Sequence, residues 1–161
     1  MIMKYAYIYE TKLGKVMIAQ DGDSISKLDL RDEIPTDEYL LEETPLIHEA
    51  SKQLLEYLDG KREQFTVKLR PEGTDFQKKV WEVLKSIPYG TTVSYGEVAK
   101  AVGNPKACRA VGMANNKNPI MIMIPCHRVI GANGKLVGYG GGLEIKEWLL
   151  SLEKERKASN E

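Results

Sequence analysis

At 161 residues the chain is long enough for one compact unit or for two small domains sharing a core. No apolar run approaches the eighteen or so residues of a membrane-spanning helix, and Met1-Ile2-Met3-Lys4 leads into alternating Tyr and Ile rather than a signal-peptide core, so a soluble, cytoplasmic protein is expected. The formal net charge of zero looks wrong for a nucleic-acid binder until it is divided: residues 1–73 carry 10 Lys+Arg against 15 Asp+Glu, residues 74–139 carry 9 against 3, and residues 140–161 carry 4 against 5. A basic module thus lies between acidic flanks, the distribution that phosphate contacts require.

Residues 3–9, 15–21 and 25–30 read as strands, with turns at Leu13-Gly14 and Asp21-Gly22-Asp23. Thr44-Pro45 opens a helix, with Thr as N-cap and Pro at the first helical position. Leu46, Ile47, Ala50, Leu54, Leu55 and Leu58 form its apolar stripe, and Gly60 stops it. Phe65, Val67 and Leu69 alternate as a further strand over 64–69. Residues 1–70 therefore read as a small α/β domain with an antiparallel sheet and a supporting role. His48, on the helix's polar side, is expected at the surface.

Residues 71–161 read as a second domain. A helix starts at Thr74, with Phe76, Val80, Trp81 and Leu84 inward, and ends at Ile87-Pro88-Tyr89-Gly90. Ser94 caps a short helix with Tyr95, Val98, Ala99 and Val102 on one face. Gly103-Asn104-Pro105 turns the chain into a helix over 105–115, and two short helices across such a turn describe a helix-turn-helix. The second of them is lined with Ala107, Ala110, Gly112 and Ala114, small enough to let its backbone approach another surface, protein or DNA. Lys106, Arg109 and Lys117 favour DNA. Gly131-Ala132-Asn133-Gly134 then reads as the turn of a hairpin, or wing, between 128–130 and 135–137. Gly138-Tyr139-Gly140-Gly141-Gly142 is either a linker or a backbone that comes close to a ligand. A last helix spans about 142–156, with Leu143, Trp148, Leu149 and Leu152 expected inward.

The sharpest local question is posed by Ile124-Pro125-Cys126-His127-Arg128-Val129-Ile130. A cysteine among apolar residues is ordinarily a small, inert hydrophobe. A structural zinc needs four ligands, and Cys108, Cys126, His48 and His127 have no paired spacing. A Cys108–Cys126 disulfide conflicts with a reducing compartment. A nucleophile is the third option. In an extended backbone His127 would point away from Cys126 and would act through a bridging water, oriented by a carboxylate.

Pro125-Cys126-His127-Arg128-Val129 resembles the active-site signature of the O6-alkylguanine-DNA alkyltransferases, the methylated-DNA–protein-cysteine methyltransferases. Ser94-Tyr95, Gly103-Asn104-Pro105-Lys106, Ala107-Cys108-Arg109-Ala110-Val111-Gly112, Asn118-Pro119, Gly141-Gly142-Leu143 and Lys146-Glu147-Trp148-Leu149-Leu150 stand at the family's spacing, so the resemblance is strong over about 74–153. It implies an α+β protein: a ribonuclease-H-like N-terminal domain, then a winged helix-turn-helix. It implies that the protein binds double-stranded DNA through the minor groove, flips out an O6-alkylguanine (or O4-alkylthymine) and takes the alkyl group irreversibly onto Cys126 in a single turnover. By the same resemblance, Tyr95, Gly96, Asn104, Lys106 and Arg109 contact DNA, with Arg109 as the finger that fills the vacated space. His127 takes the thiol proton through water, Glu153 orients it, Tyr95 donates a proton to guanine N3, and Asn118 is a hinge. Tyr139, Gly140 and Gly141 line the base pocket. Gly140 stands where many relatives have serine, and Met121 and Val137 where some have Pro and Gly, which bears on the alkyl groups accepted. Arg128 reads as structural, and Cys108 as merely small enough to fit. No cofactor or metal is implied, and a monomer is expected. The rival is a winged-helix protein that binds alkylated DNA, or regulates, without chemistry.

Overall fold

A computed structural model describes residues 3–159, and the chain divides into two units, one running to Glu72 with Pro119–Met121 added, the other made of Gly73–Asn118 and Ile122 onward. In the first unit Gly14 and Gly22 take positive φ, the conformation that glycine adopts without penalty, and turn the chain into a meander. Strands β1 (Lys4–Thr11), β2 (Gly14–Asp21) and β3 (Ser24–Leu30) pair antiparallel as expected. The sheet has a fourth member with no sequence signal: β4 (Leu40–Leu41) joins β1 in parallel, giving the order β3-β2-β1-β4 and a mixed sheet. Helix α1 (Pro45–Leu58) is capped by Thr44, whose hydroxyl accepts from Ile47 N–H, and buries Ile47, Ala50, Leu54, Tyr57 and Leu58. Leu55, assigned to the same stripe, is exposed.

The strand expected at 64–69 does not form. The Gln53 side chain takes up the backbone there instead, accepting from Thr66 N–H at 2.9 Å and donating to Thr66 Oγ1 at 2.7 Å. Only Leu69 bridges to the sheet, at Ile25. The rest of that β3 edge is held by a segment from far along the chain. Leu28 N–H donates to Pro119 O at 2.9 Å, and Met121 N–H donates to Leu28 O at 3.0 Å.

In the second unit a reciprocal capping box between Thr74 and Gln77 starts α2 (Asp75–Lys85), which buries Val80, Trp81 and Leu84 but leaves Phe76 half-buried. A second box between Ser94 and Glu97 starts α3 (Tyr95–Ala101). Helix α4 (Cys108–Asn116) begins later than the sequence suggests, because Ala107 closes a turn onto Asn104 O and has no side chain with which to cap. Trp81 Nε1–H donates to Ala114 O at 2.8 Å, tying α2 to α4.

The wing differs from expectation. Strand β6 (Val129–Ile130) pairs in parallel with β5 (Val93–Ser94), and 135–137 is not a strand. Gly131 N–H donates to Lys135 O at 2.8 Å and Gly134 N–H to Gly131 O at 2.9 Å across the turn. Helix α5 (Leu143–Ser159) reverses a second expectation: Leu143 and Trp148 are exposed, whereas Lys146, Leu149 and Glu153 are buried. Positions 146, 149 and 153 share one face of a helix, so the inner face of α5 is partly charged.

Candidate active site

Cys126–Arg128 forms a single 3-10 turn rather than extended chain, with all three side chains buried. Cys126 N–H donates to Ile124 O at 2.8 Å, and Asn115 Nδ2 donates to Cys126 O at 3.2 Å. Asn118 Nδ2 donates to Ile124 O at 2.8 Å, and its side chain also reaches the sulfur. The Tyr139 hydroxyl, buried and without a well-aligned partner, faces the sulfur as well. Burial pushes the Cys126 thiol up from its ordinary value, although Asn118, the Lys146 charge and Tyr139 all pull the other way. The histidine neighbour does not dominate: apolar surroundings disfavour the anion more than the polar groups favour it.

His127 turns to Glu153, Nε2 to Oε2 at 2.7 Å. Glu153 is a hub. Arg128 donates to it twice, Nε to Oε1 at 2.8 Å and Nη2 to Oε2 at 2.9 Å, and Gly90 N–H donates to Oε1 at 3.1 Å. The remaining Arg128 nitrogen, Nη1, donates to Ile87 O at 2.7 Å. Burial opposes ionisation of Glu153, but the bonds from His127 and Arg128 prevail and hold its carboxyl well below the usual range. An ionised carboxylate only accepts, so His127 carries its proton on Nε2. Burial lowers the His127 pKa, outweighing the pull of Glu153, and the ring is neutral at physiological pH. Arg128 is thus structural in a particular sense: it keeps the histidine's partner charged.

Tyr95 opens α3, and its hydroxyl donates to Val137 O at 2.7 Å. Burial, then the nearby Cys126 charge, raises its pKa. Val137 O also accepts from Lys146 Nζ at 3.0 Å, and Gly138 O from the same ammonium at 3.2 Å. Lys146 is buried and forms no ion pair among the described residues, and its ammonium lies 5.9 Å from the Tyr95 ring centroid. Gly140 and Gly141 follow on the same loop, where a Cβ on Gly140 would come within 3.4 Å of Asn116 O.

Asn118, Tyr139 and Tyr95 thus lie near the Cys126 thiol, whereas His127, next in sequence, is bonded to Glu153 in its own buried network. The other candidates stand apart from the hydrogen bonds of these groups. Gly96 is half-buried on α3, and Asn104, Lys106 and Arg109 are exposed on the turn before α4 and on its first turn. Both cysteines are free thiols, Cys108 exposed and Cys126 buried. A Cβ on Gly112 of α4 would meet the Tyr95 ring at 3.9 Å, an ordinary van der Waals contact. Lys146 and Asn115 were not among the sequence candidates. The signal for Lys146 was its spacing to Leu149 and Glu153 on one helical face. Among the described residues no three His, Cys, Asp or Glu side chains converge as a metal site.

Two family models cover nearly the whole chain: the 6-O-methylguanine DNA methyltransferase ribonuclease-like domain over residues 3–71, and the DNA-binding domain of the same family over 75–155. The chain belongs to the 6-O-methylguanine DNA methyltransferase family. The methylated-DNA–protein-cysteine methyltransferase of Methanosarcina acetivorans is 52% identical over 152 residues, 92% of this chain and 97% of the relative. The constitutive one of Bacillus subtilis is 45% identical over 161 residues, 94% and 96% of the two chains. The solved structure of Mycobacterium tuberculosis OGT in complex with DNA superposes with a TM-score of 0.87 at 44% identity, covering 94% of each chain.

Proposed function

We propose that this methyltransferase removes the alkyl group from O6-alkylguanine in DNA by transferring it to Cys126, and that the residues around the thiol divide the work of that one step. The observation that carries the assignment is the buried Cys126 thiol flanked by Asn118, Tyr139 and Lys146 beside the buried His127–Glu153–Arg128 network. Neutral His127 takes the thiol proton, by way of a water, and Glu153 steadies the imidazolium that results. The sulfur lone pair attacks the alkyl carbon, the S–C bond forms, and the C–O6 bond breaks with its electron pair passing to the purine. Tyr95 turns from Val137 O to the base and supplies the proton that the leaving guanine needs. Burial lowers the Lys146 pKa, and its ammonium charge favours the sulfur anion. The product thioether has no hydrolysable leaving group, so each molecule reacts once.

DNA is the partner, read through the helix-turn-helix of α3 and α4, with Tyr95, Gly96, Asn104, Lys106 and Arg109 as its contacts. Incubation with duplex DNA containing O6-methylguanine, followed by peptide mapping, tests the assignment. One methyl group is expected on the Cys126 peptide and none on the Cys108 peptide. Methyl transfer surviving Cys126→Ala would overturn it. Binding of alkylated DNA without any mass change would make the chain a non-catalytic damage binder instead.

A further inference from the structure

Ile122 is the one non-glycine residue with positive φ among those described, at 73°. In that left-handed region a β-branched side chain crowds its own backbone, and glycine is the ordinary occupant. The Ile122 side chain is 1% exposed, so buried packing holds the backbone where local preference would not. Strain of this kind persists where the surroundings over-determine it, and it concentrates at sites whose geometry matters.

Its place in the chain gives the strain a meaning. After Asn118 the chain leaves the second unit, adds Pro119–Met121 to β3 of the first, and re-enters the second at Ile122. The detour is pinned on β3 by the two backbone bonds to Leu28. Where it returns, Asn118 Nδ2 donates to Ile124 O and closes the neck, and the same side chain reaches the Cys126 sulfur. Ile124 O also accepts from Cys126 N–H. The reversal at Ile122 therefore aims the carbonyl on which both Asn118 and Cys126 converge.

We propose that Ile122 is a positioning residue for alkyl transfer: its left-handed backbone turns the returning chain onto the Asn118–Ile124 bridge and so fixes where Cys126 presents its sulfur. The inference rests on Cys126 being the acceptor. Glycine at this position would reach the same φ but many others as well, and the segment leading to the thiol would lose its fixed direction.

The test uses the full chain with Ile122→Gly and Ile122→Val. Single-turnover transfer from duplex DNA bearing O6-methylguanine is measured over a range of DNA concentrations, with unmodified-duplex affinity and thermal melting alongside. Ile122→Gly is expected to lower the saturating rate at least about tenfold, since displacing a reacting group by about 1 Å can cost about a hundredfold. Its half-saturating DNA concentration and duplex affinity should stay near those of the parent protein. Ile122→Val keeps both the branch and the burial and should transfer nearly normally. In the Ile122→Gly background, Asn118→Ala should cost little further rate, because both changes act on one neck. A folded Ile122→Gly protein with the parent's saturating rate, or rate losses that simply multiply in the double variant, would overturn the proposal. Should the glycine variant not fold, Ile122→Ala, which removes the packing and keeps a chiral residue, decides by the same saturating rate. Transfer that survives Cys126→Ala defeats the acceptor assignment. A fully active Ile122→Gly protein whose Cys126→Ala counterpart is dead defeats only the positioning role.

Discussion

The charge on Glu153 is shared among His127, Arg128 and a backbone amide, and this ties chemistry to stability. Replacing it with Gln leaves a buried guanidinium without its counter-charge, a change that costs about 3–5 kcal/mol in comparable buried pairs. Glu153→Gln is therefore expected to lower the denaturant midpoint clearly as well as to slow transfer. The parent protein should also lose stability on acidification. His127 is neutral in the fold with its pKa depressed, so its contribution is present above the unfolded value of 6.5 and fades as pH falls below it. Glu153, also depressed, adds a second loss as pH falls below 4.5. Melting temperature against pH checks both, and a His127→Gln protein should lack the first decline. The thiol behaves differently. Because burial raises its pKa, the reaction of Cys126 with iodoacetamide in the DNA-free protein should have its pH midpoint above 9.0. Lys146→Met should move that midpoint higher still, since the ammonium pulls it down. A midpoint below 9.0, or one that ignores Lys146, would mean that the sulfur sees a different field.

At the scale of elements, side-chain caps start α2 and α3, and one indole bond ties α2 to α4. The Ser94 hydroxyl accepts from Glu97 N–H at 3.1 Å, and the Glu97 carboxylate accepts from Ser94 N–H at 3.2 Å. Ser94→Ala should cost about 1 kcal/mol in urea unfolding, and should weaken DNA binding because Tyr95 and Gly96 begin that helix. These caps were legible in the sequence, since a hydroxyl three residues ahead of Glu or Gln is a local signal. So were the three-strand meander and the Thr44-Pro45 helix start. The site residues came from the family resemblance, and of them Tyr95 and Asn118 lie near Cys126. What was not legible depends on partners distant in sequence. The parallel pairing of β5 with β6, the Pro119–Met121 addition to β3 and the replacement of a strand at 64–69 by Gln53 leave no periodicity to read. Helix α5 misled for a related reason. An apolar count puts Trp148 inside, whereas the buried face carries Lys146 and Glu153, which are tolerated there because backbone carbonyls, His127 and Arg128 satisfy them.

For the whole molecule the decisive quantity is where the charge lies, not its sum. The exposed cations Lys100, Lys106, Arg109 and Lys117 fall on α3, α4 and the turns that follow them, inside the segment where Lys and Arg outnumber Asp and Glu 9 to 3. A protein that neutralises phosphates releases about 0.9 counterions for each, so four such contacts would give a log-affinity against log-salt slope of about −3 to −4. Lys106→Ala should make that slope shallower by about 1 and weaken every duplex alike. Arg109 is expected to behave differently. If it fills the space left by the flipped base, Arg109→Ala should slow transfer from duplex DNA far more than transfer from a free O6-alkylguanine base, which needs no flipping. Side-by-side single-turnover rates on the two substrates decide this. Equal losses on both would assign Arg109 to the fold, and loss of salt slope alone would make it one more phosphate contact. Arg109 makes no ion pair among the described residues and lies exposed on the first turn of α4, so removing it should leave the melting temperature unchanged and the two rates directly comparable.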